Sequence, residues 1–360
     1  MKLTDFQLNQ ILEKAIWAPS GDNCQPWTFE WDGETLKIFH NSQRALHPLN
    51  SNGISSLISL GCLVESIYLA ASEFGCTADW IFQDFDTLGI SQWAAVSFSF
   101  VVQKKNPLAD LLLNRTTDRN FFRCGMLNAD MLQQMDRKPT QLHILSNPPK
   151  ELIDYIVEAE QLLVELPGLL PSTMKWARLS FKEAQKSGDG LSWRNLGAQI
   201  WEVPMMPLIR DFPKILKLAK YVIGPQHRSR VKQQLQSSAG LICVSAPAPV
   251  KNRENIVVAG SLMMNAWLSL TGHGYGVQPL TIASTICMKS KENIMPLPNK
   301  WTQFFDEGEK ILRKSFSIPS GSMPVWMIRA GLSTALPEKS RTFRKPLNEI
   351  FTNMNLKKYF

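Results

Sequence analysis

Two long apolar helices, each stopped by a glycine, constrain this chain of 360 residues more than any other feature. Ile54 to Phe74 reads as helical because Leu60, Leu63, Val64, Ile67, Ala71 and Phe74 recur on one face, with Gly75 as the C-cap. The run Gly260-Ser261-Leu262-Met263-Met264-Asn265-Ala266-Trp267-Leu268 to His273-Gly274 parallels Gly61-Cys62-Leu63-Val64-Glu65-Ser66-Ile67-Tyr68-Leu69 to Phe74-Gly75. A strand-like run accompanies each copy, Ala94 to Phe100 in the first and Ala239 to Val244 in the second. The strand follows its helix in the first copy and precedes it in the second, so the repeat is not collinear. A chance likeness of two helices and two strands is one account. The period is far too long for a solenoid, and two homologous α+β halves packed as a pseudo-dimer within one chain is the better account.

Hydrophobic residues make up 44% of the chain, enough for one large core or two ordinary ones. The formal net charge is +8, which admits an anionic ligand, nucleic acid or an anionic membrane surface. The Lys and Arg are scattered, with one modest cluster at Lys339-Ser340-Arg341-Thr342-Phe343-Arg344-Lys345, and no nucleic-acid signature accompanies them. Six cysteines (Cys24, Cys62, Cys76, Cys124, Cys243, Cys287) lie far apart without a Cys-x-x-Cys pair, and the five histidines add no zinc spacing. We therefore expect reduced core thiols, no metal and no nucleic-acid partner. The polar start Met1-Lys2-Leu3-Thr4-Asp5 lacks a secretory core, and no uninterrupted apolar run approaches a membrane span. The expected compartment is the cytoplasm.

Along the first half, Thr4-Asp5-Phe6-Gln7 reads as a capping box. Leu8, Ile11, Leu12, Ala15 and Ile16 then mark a helix that must stop at Pro19. Thr28 to Trp31 and Leu36 to Phe39 flank Asp32-Gly33, a strong hairpin signal. Strands are expected near Ala78 to Ile81 and over Ala94 to Val102.

Between the first helix and the hairpin lies Ala18-Pro19-Ser20-Gly21-Asp22-Asn23-Cys24-Gln25-Pro26-Trp27. Ser20, Gly21 and Asn23 allow main-chain amides to turn outward toward a ligand, while Pro26 and Trp27 set the exit direction. On composition alone this is also an ordinary helix-to-strand loop with a buried Trp. A second feature is Arg115-Thr116-Thr117-Asp118-Arg119-Asn120-Phe121. Two guanidiniums with a hydroxyl between them suit a phosphate monoester, although such a run also serves as a solvated helix start.

Proline-serine followed by Asn23, Gln25 and proline-aromatic resembles the flavin-edge loop of the FMN-dependent nitroreductase superfamily, and more particularly of its internally duplicated, Acg-like members. The arginine run resembles that family's phosphate motif. The resemblance implies an FMN site in which Pro19, Ser20, Gly21 and Asn23 border the flavin, and Arg115, Thr116 and Thr117 hold the phosphate. It places Arg119 at the pyrimidine edge. Gly274 to Ile282 resembles the family loop against the flavin, which adds Pro279, Leu280, Thr281 and Ile282, though Thr281 and Ile282 depart from the usual residues. Arg344 resembles the closing arginine that returns to the phosphate, with Arg341 and Lys339 as nearby substitutes.

The resemblance also implies how the halves combine. The first half (1–113) carries the proline-serine loop without a phosphate motif. The second half (114–360) carries the phosphate motif, and at the place of its own loop has only Ser146-Asn147-Pro148-Pro149. One composite site and one FMN per monomeric chain follow.

A stretch from about 167 to 237 fits neither copy. It holds Trp176, Trp193, Trp201, Met205 and Met206, with helical runs broken by Pro204, Pro207, Pro213 and Pro225. Ile209 to Val222 is amphipathic and basic. A lid over the site, a membrane-surface patch and a plain helical insertion all suit it; the lid is the reading we favour, because Trp and Met make an adaptable cover for a flat ligand.

By resemblance the function is ping-pong hydride transfer from NADH or NADPH through flavin N5 to a nitroaromatic- or quinone-like acceptor, without a catalytic side chain. An FMN-sequestering protein with a closed site is the alternative. Lys2, Asp22 and His47 show no partner spacing that would make them catalytic.

Overall fold

The computed structural model describes residues 2–84, 89–102, 104–123, 125–132, 135, 137, 139–198, 202–212, 216–248, 252–291, 296–334 and 341–354. Cys124, Trp201, Pro213 and Lys339 lie outside the described residues.

The first helix, Asp5–Ala15, begins with the expected capping box: the Thr4 side chain accepts from the Gln7 amide, and Gln7 reaches back to the Thr4 backbone. The hairpin strands Trp27–Trp31 and Thr35–Asn41 pair antiparallel around Asp32-Gly33, with Asp32 Oδ1 accepting from the Glu34 and Thr35 amides. Cys76–Phe82 and Ile90–Phe100 complete the antiparallel part of a five-stranded sheet. A four-stranded sheet is built from Gln141–Leu145, Gly240–Pro247, Ser322–Leu332 and Tyr275–Pro279. Its two central strands are almost wholly buried, as a sheet covered on both faces requires. The whole is a mixed α+β fold.

Ile54–Ser72 and Arg253–Gly272 cross between the sheets, and among the described residues no pair of elements packs more extensively. The crossing works because each helix presents glycine there. A Cβ on Gly61 would lie 2.0 Å from Val257 O, and one on Gly260 would lie 2.3 Å from Ile58 O. A buried polar cluster joins the helices beside the crossing: Glu65 accepts from Ser261, from Asn265 Nδ2 at 2.6 Å and from Arg137 Nη2 at 2.9 Å. With all its partners in place, this enclosed carboxylate is satisfied. Beyond the helices, Gly75 and Gly274 both take positive φ, 65° and 80°, where the chain reverses.

Two expectations need correction, and one pairing was not anticipated. Ile54–Ser72 is long and apolar enough to span a membrane, contrary to the sequence reading, but 89% of its most apolar window is buried in this fold, so it is a core helix. Pro207 and Pro225 do not break helices. Pro207 sits in the first turn of Met205–Asp211, where its missing N–H removes no helix bond, and Pro225 lies inside Leu216–Gln236. Phe351–Asn353 pairs in parallel with Trp27–Trp31 at the edge of the first sheet, so the last described strand joins the sheet that holds the hairpin.

The 167–237 stretch folds as short helices around a small core of Met174, Ala177 and Met206, against which Trp193 packs; Met205 is exposed. A two-residue parallel pairing of Ala177–Arg178 with Leu191–Ser192 ties it together.

Candidate functional site

The site grows from the exposed carbonyls at the end of the first helix. A helix leaves its last carbonyls without amide partners, and here arginines from remote segments take them. Arg344 Nε donates to Ile16 O at 2.8 Å, Arg344 Nη2 donates to Trp17 O at 3.1 Å, and Arg115 Nη2 donates to Trp17 O at 2.9 Å. The cations also suit the negative end of the helix dipole.

Past Pro19 the chain enters a strained turn, in which Asp22, Asn23 and Gln25 all have φ near +50°. Such left-handed non-glycine residues persist only where their surroundings hold them. Asn23 Nδ2 donates to Gly190 O and Phe343 O, both at 3.0 Å, and Asn23 Oδ1 accepts from Arg344 Nη1 at 2.7 Å. Gln25 Nε2 donates to Gly188 O at 2.8 Å, while its Oε1 accepts from the Lys345 amide at 2.9 Å. Asn23, expected at a ligand, is thus committed to the protein. It pins the turn to the insertion and to the C-terminal segment. Arg44 adds another brace, reaching Cys24 O, Gln25 O and Asp189.

Two adjoining cavities open at this turn and share Pro19, Ser20, Asp22, Thr117 and Arg119 as walls. The smaller, about 60 Å³, is bordered by Arg115, Thr116, Arg341, Thr342 and Arg344, with Asn195 and Leu191 from the insertion. Asp22 is the single carboxylate among its described lining residues. Arg115 is 4% exposed, stacks over the Trp267 ring at 4.5 Å, and its Nε and Nη1 have no hydrogen-bond partner. Burial, with Arg341 nearby, pushes Arg115 down to about 10 despite the Cys62 thiol, and Arg344 is held well below its ordinary value by burial, Arg115 and Arg341. Arg341 lies 3.8 Å over the Trp17 ring. Buried guanidinium nitrogens left without an acceptor are costly, so the chemistry of this chamber asks for an anion with several oxygen acceptors. A phosphate monoester fits that demand.

The larger cavity, about 270 Å³, is a slot with aromatic walls. Its lining includes Trp267 and Trp326, whose rings lie 6.3 Å apart, Trp176 and Thr173 from the insertion, and Pro279, Thr281 and Ile282. Leu280 does not line it: the side chain is buried in a cluster with Ile156, Ile286 and Phe305, and its amide donates to Met327 O. Asp22 and His47 belong to its polar lining, together with Arg44, Asn50 and several serines, and Asp22 Oδ2 and His47 Nε2 lie 3.6 Å apart. Burial raises Asp22 to about 6 against the opposing pull of Arg119, and burial with Lys289 lowers His47 to about 4. Arg119 bridges both chambers, and its Nη1 donates to Asn195 O in the insertion.

Twelve of the thirteen residues expected at the site therefore line one or both cavities, Leu280 being the exception. Sequence reasoning missed Asp189, which binds both Arg44 and Arg178, and missed the Asp22–His47 approach. Neither pairing has a sequence signal, since 145 positions separate Arg44 from Asp189.

No family model matches the chain. A protein of a Serratia species named as an NAD(P)H nitroreductase, PigM, is 23% identical over 300 residues, covering 76% of this chain and 80% of that protein. A Mycobacterium tuberculosis protein named as an NAD(P)H nitroreductase, acg, is 29% identical over 126 residues, 33% of this chain and 36% of its own. Among solved structures, the FMN- and NADPH-dependent nitroreductase NfnB from Sphigopyxis sp. strain HMH aligns with a TM-score of 0.37 at 10% identity, covering 69% of this chain and 98% of that one. NfnB from Mycobacterium smegmatis, solved in complex with NADPH, aligns with a TM-score of 0.35 at 15% identity, over 67% and 96%.

Proposed function

We propose that this chain, a relative of the nitroreductases PigM and acg, is an FMN-dependent NAD(P)H oxidoreductase with one flavin site per monomer. The observation that carries the reading is Arg115, a buried cation with two unpartnered nitrogens facing Arg341, Arg344 and the proline-serine turn. Arg115, Thr116 and Thr117 would hold the FMN phosphate in the smaller chamber, with the charges of Arg341 and Arg344 beside them, the Arg344 N–H groups being given to protein acceptors. Pro19, Ser20, Gly21, Pro279, Thr281 and Ile282 would enclose the ring in the larger one, where Arg119 adds positive charge.

When bound, FMN supplies the redox chemistry, accepting a hydride from NADH or NADPH and passing it in a second half-reaction to a nitroaromatic- or quinone-like acceptor. The protein's part is placement and the exclusion of water. Trp267, Trp326 and Trp176 give the slot its flat apolar walls, suited to stacking against a planar ring system.

In the same reading the phosphate side belongs to the second half (114–360) and the proline-serine side to the first (1–113), as in a fused pseudo-dimer. Close packing of the central helices at Gly61 and Gly260 supports it. The 167–237 stretch acts as a cover, and the chain works as a monomer in the cytoplasm.

Purified protein should be yellow and release about one FMN per chain. A colourless preparation that takes up no FMN on titration would end the proposal.

One observation favours a second reading, FMN sequestration. The insertion walls both chambers, and it is pinned through Gly188, Gly190, Asp189 and Asn195 to the turn, to Arg44 and to Arg119. Such a fixed cover would hinder the alternating entry of two substrates. Anaerobic mixing with NADH or NADPH separates the two: bleaching of the flavin band supports turnover, and persistence supports storage.

A further inference from the structure

The Asp22–His47 contact has no part in holding the phosphate or in the apolar walls of the slot, and its hydrogen bonding is directional. His47 Nδ1 accepts the Leu49 amide at 3.1 Å, so in the neutral ring the proton is assigned to Nε2. That nitrogen faces Asp22 Oδ2 at 3.6 Å and Thr173 Oγ1 at 3.1 Å. The imidazole is fixed by a backbone amide from its own loop and by Thr173, whose hydroxyl donates to Leu169 O and accepts the Nε2–H, and this leaves the ring edge 3.6 Å from a carboxyl on the wall of the larger cavity.

We propose that Asp22 is a proton donor to the second substrate in that cavity, and that His47 is a positioning residue that steadies the carboxylate once the proton has left. This rests on the oxidoreductase reading above. An acceptor that gains a hydride equivalent, drawn ultimately from a reduced nicotinamide, carries one negative charge to be neutralised. The Asp22 carboxyl O–H bond breaks, its electron pair stays on the carboxylate, and the proton bonds to the acceptor atom. Asp22 then regains a proton from water, which restores the starting state.

The surroundings suit the role. Arg119 faces Asp22 from the phosphate side and favours the carboxylate; the neighbouring Cys24 thiol is pushed up to about 12 and stays neutral. Arg44 is engaged by Asp189. On the His47 side, Lys289 is itself pushed down to about 7 by burial and donates to Leu49 O. Burial nonetheless dominates at Asp22 and lifts the carboxyl toward neutrality, which is how a carboxylic acid becomes a competent general acid near physiological pH.

The test compares wild type with Asp22→Asn, a change that suits the left-handed backbone. In stopped-flow work on flavin-loaded protein with a quinone acceptor, the variant should slow acceptor reduction at least tenfold more than it slows bleaching by NAD(P)H. It should also lose the rise in acceptor reduction as pH falls through about 6. Equal slowing of both half-reactions, or an unchanged pH profile, overturns the proposal. Independently of turnover, the His47 nitrogen-15 resonances of wild type, compared in flavin-free protein, should step near the Asp22 transition and lose that step in the variant. Absence of the wild-type step overturns it as well. Protein that takes up no flavin refutes the oxidoreductase reading itself, whereas yellow, bleachable protein with a flat profile refutes only the role of Asp22.

Discussion

Around the smaller chamber, Arg115, Arg119, Arg341 and Arg344 converge with one carboxylate among them, and their supports are backbone carbonyls and aromatic faces. Around the larger chamber, three tryptophans and a proline-led turn share the lining with Asp22, His47, Asn50 and several hydroxyl side chains. The first recognises by charge and tolerates little change of partner, because desolvated cations demand an anion. The second recognises by shape, and its affinity is spread over many weak contacts. A ligand spanning both would be anchored at one end and aligned at the other.

Substitution of Arg115 probes the charged end and carries the largest expected effect. Arg115→Ala should weaken FMN binding by about 2–4 kcal/mol, read by fluorescence titration. Stability of the flavin-free protein should hold or rise, since an incompletely paired buried cation is removed. Unchanged affinity would remove Arg115 from the phosphate site, and a stability loss as large as the affinity loss would make its role structural.

Next in size is a pH effect at the polar lining of the larger chamber. Asp22 binds its proton more tightly folded than unfolded, so its protonation adds stability as pH falls from about 6 toward 4. His47 has the opposite sign. Its folded value lies near 4, below that of the unfolded chain, so stability is lost as pH falls from about 6.5 toward 4. In wild type the two oppose each other over the same window. Asp22→Asn should unmask the His47 contribution and steepen acid destabilisation between pH 6.5 and 4.5 by about 2 kcal/mol, measured by urea unfolding. Parallel wild-type and variant curves would mean that Asp22 is not displaced in the folded state.

The smallest effect is expected at the cover. Trp176→Ala removes one wall of the slot while leaving the arginines intact. FMN affinity should fall by about 1 kcal/mol, with the loss appearing in faster dissociation. A loss matching that of Arg115→Ala would erase the division of labour between the chambers.

Local rules made much of this legible. The Thr4–Gln7 capping box, the Asp32-Gly33 hairpin and the glycines that end the long helices all act within a few residues, and all form as expected. The arginine run and the proline-serine turn could be singled out for the same reason. What escaped depends on contacts across the fold. Leu280 lies in the run of candidate residues, but its amide bonds to Met327 O just past the strand and its side chain enters the core. Asn23 has the chemistry of a ligand contact and spends its amide on Gly190, Phe343 and Arg344. Asp22 and His47 looked isolated because their approach depends on how the strained turn and the loop before Ile54–Ser72 come to rest.

The parallel pairing of Phe351–Asn353 with Trp27–Trp31 carries a consequence for biogenesis. Arg341 and Arg344 reach the first helix on the segment that this pairing ties down. During synthesis the proline-serine turn emerges first, and the cations that finish the anion chamber follow more than three hundred residues later. Until then the turn lacks the bonds from Arg344 and Lys345 that hold its left-handed residues. The anion chamber is thereby complete only once segments more than three hundred residues apart have met.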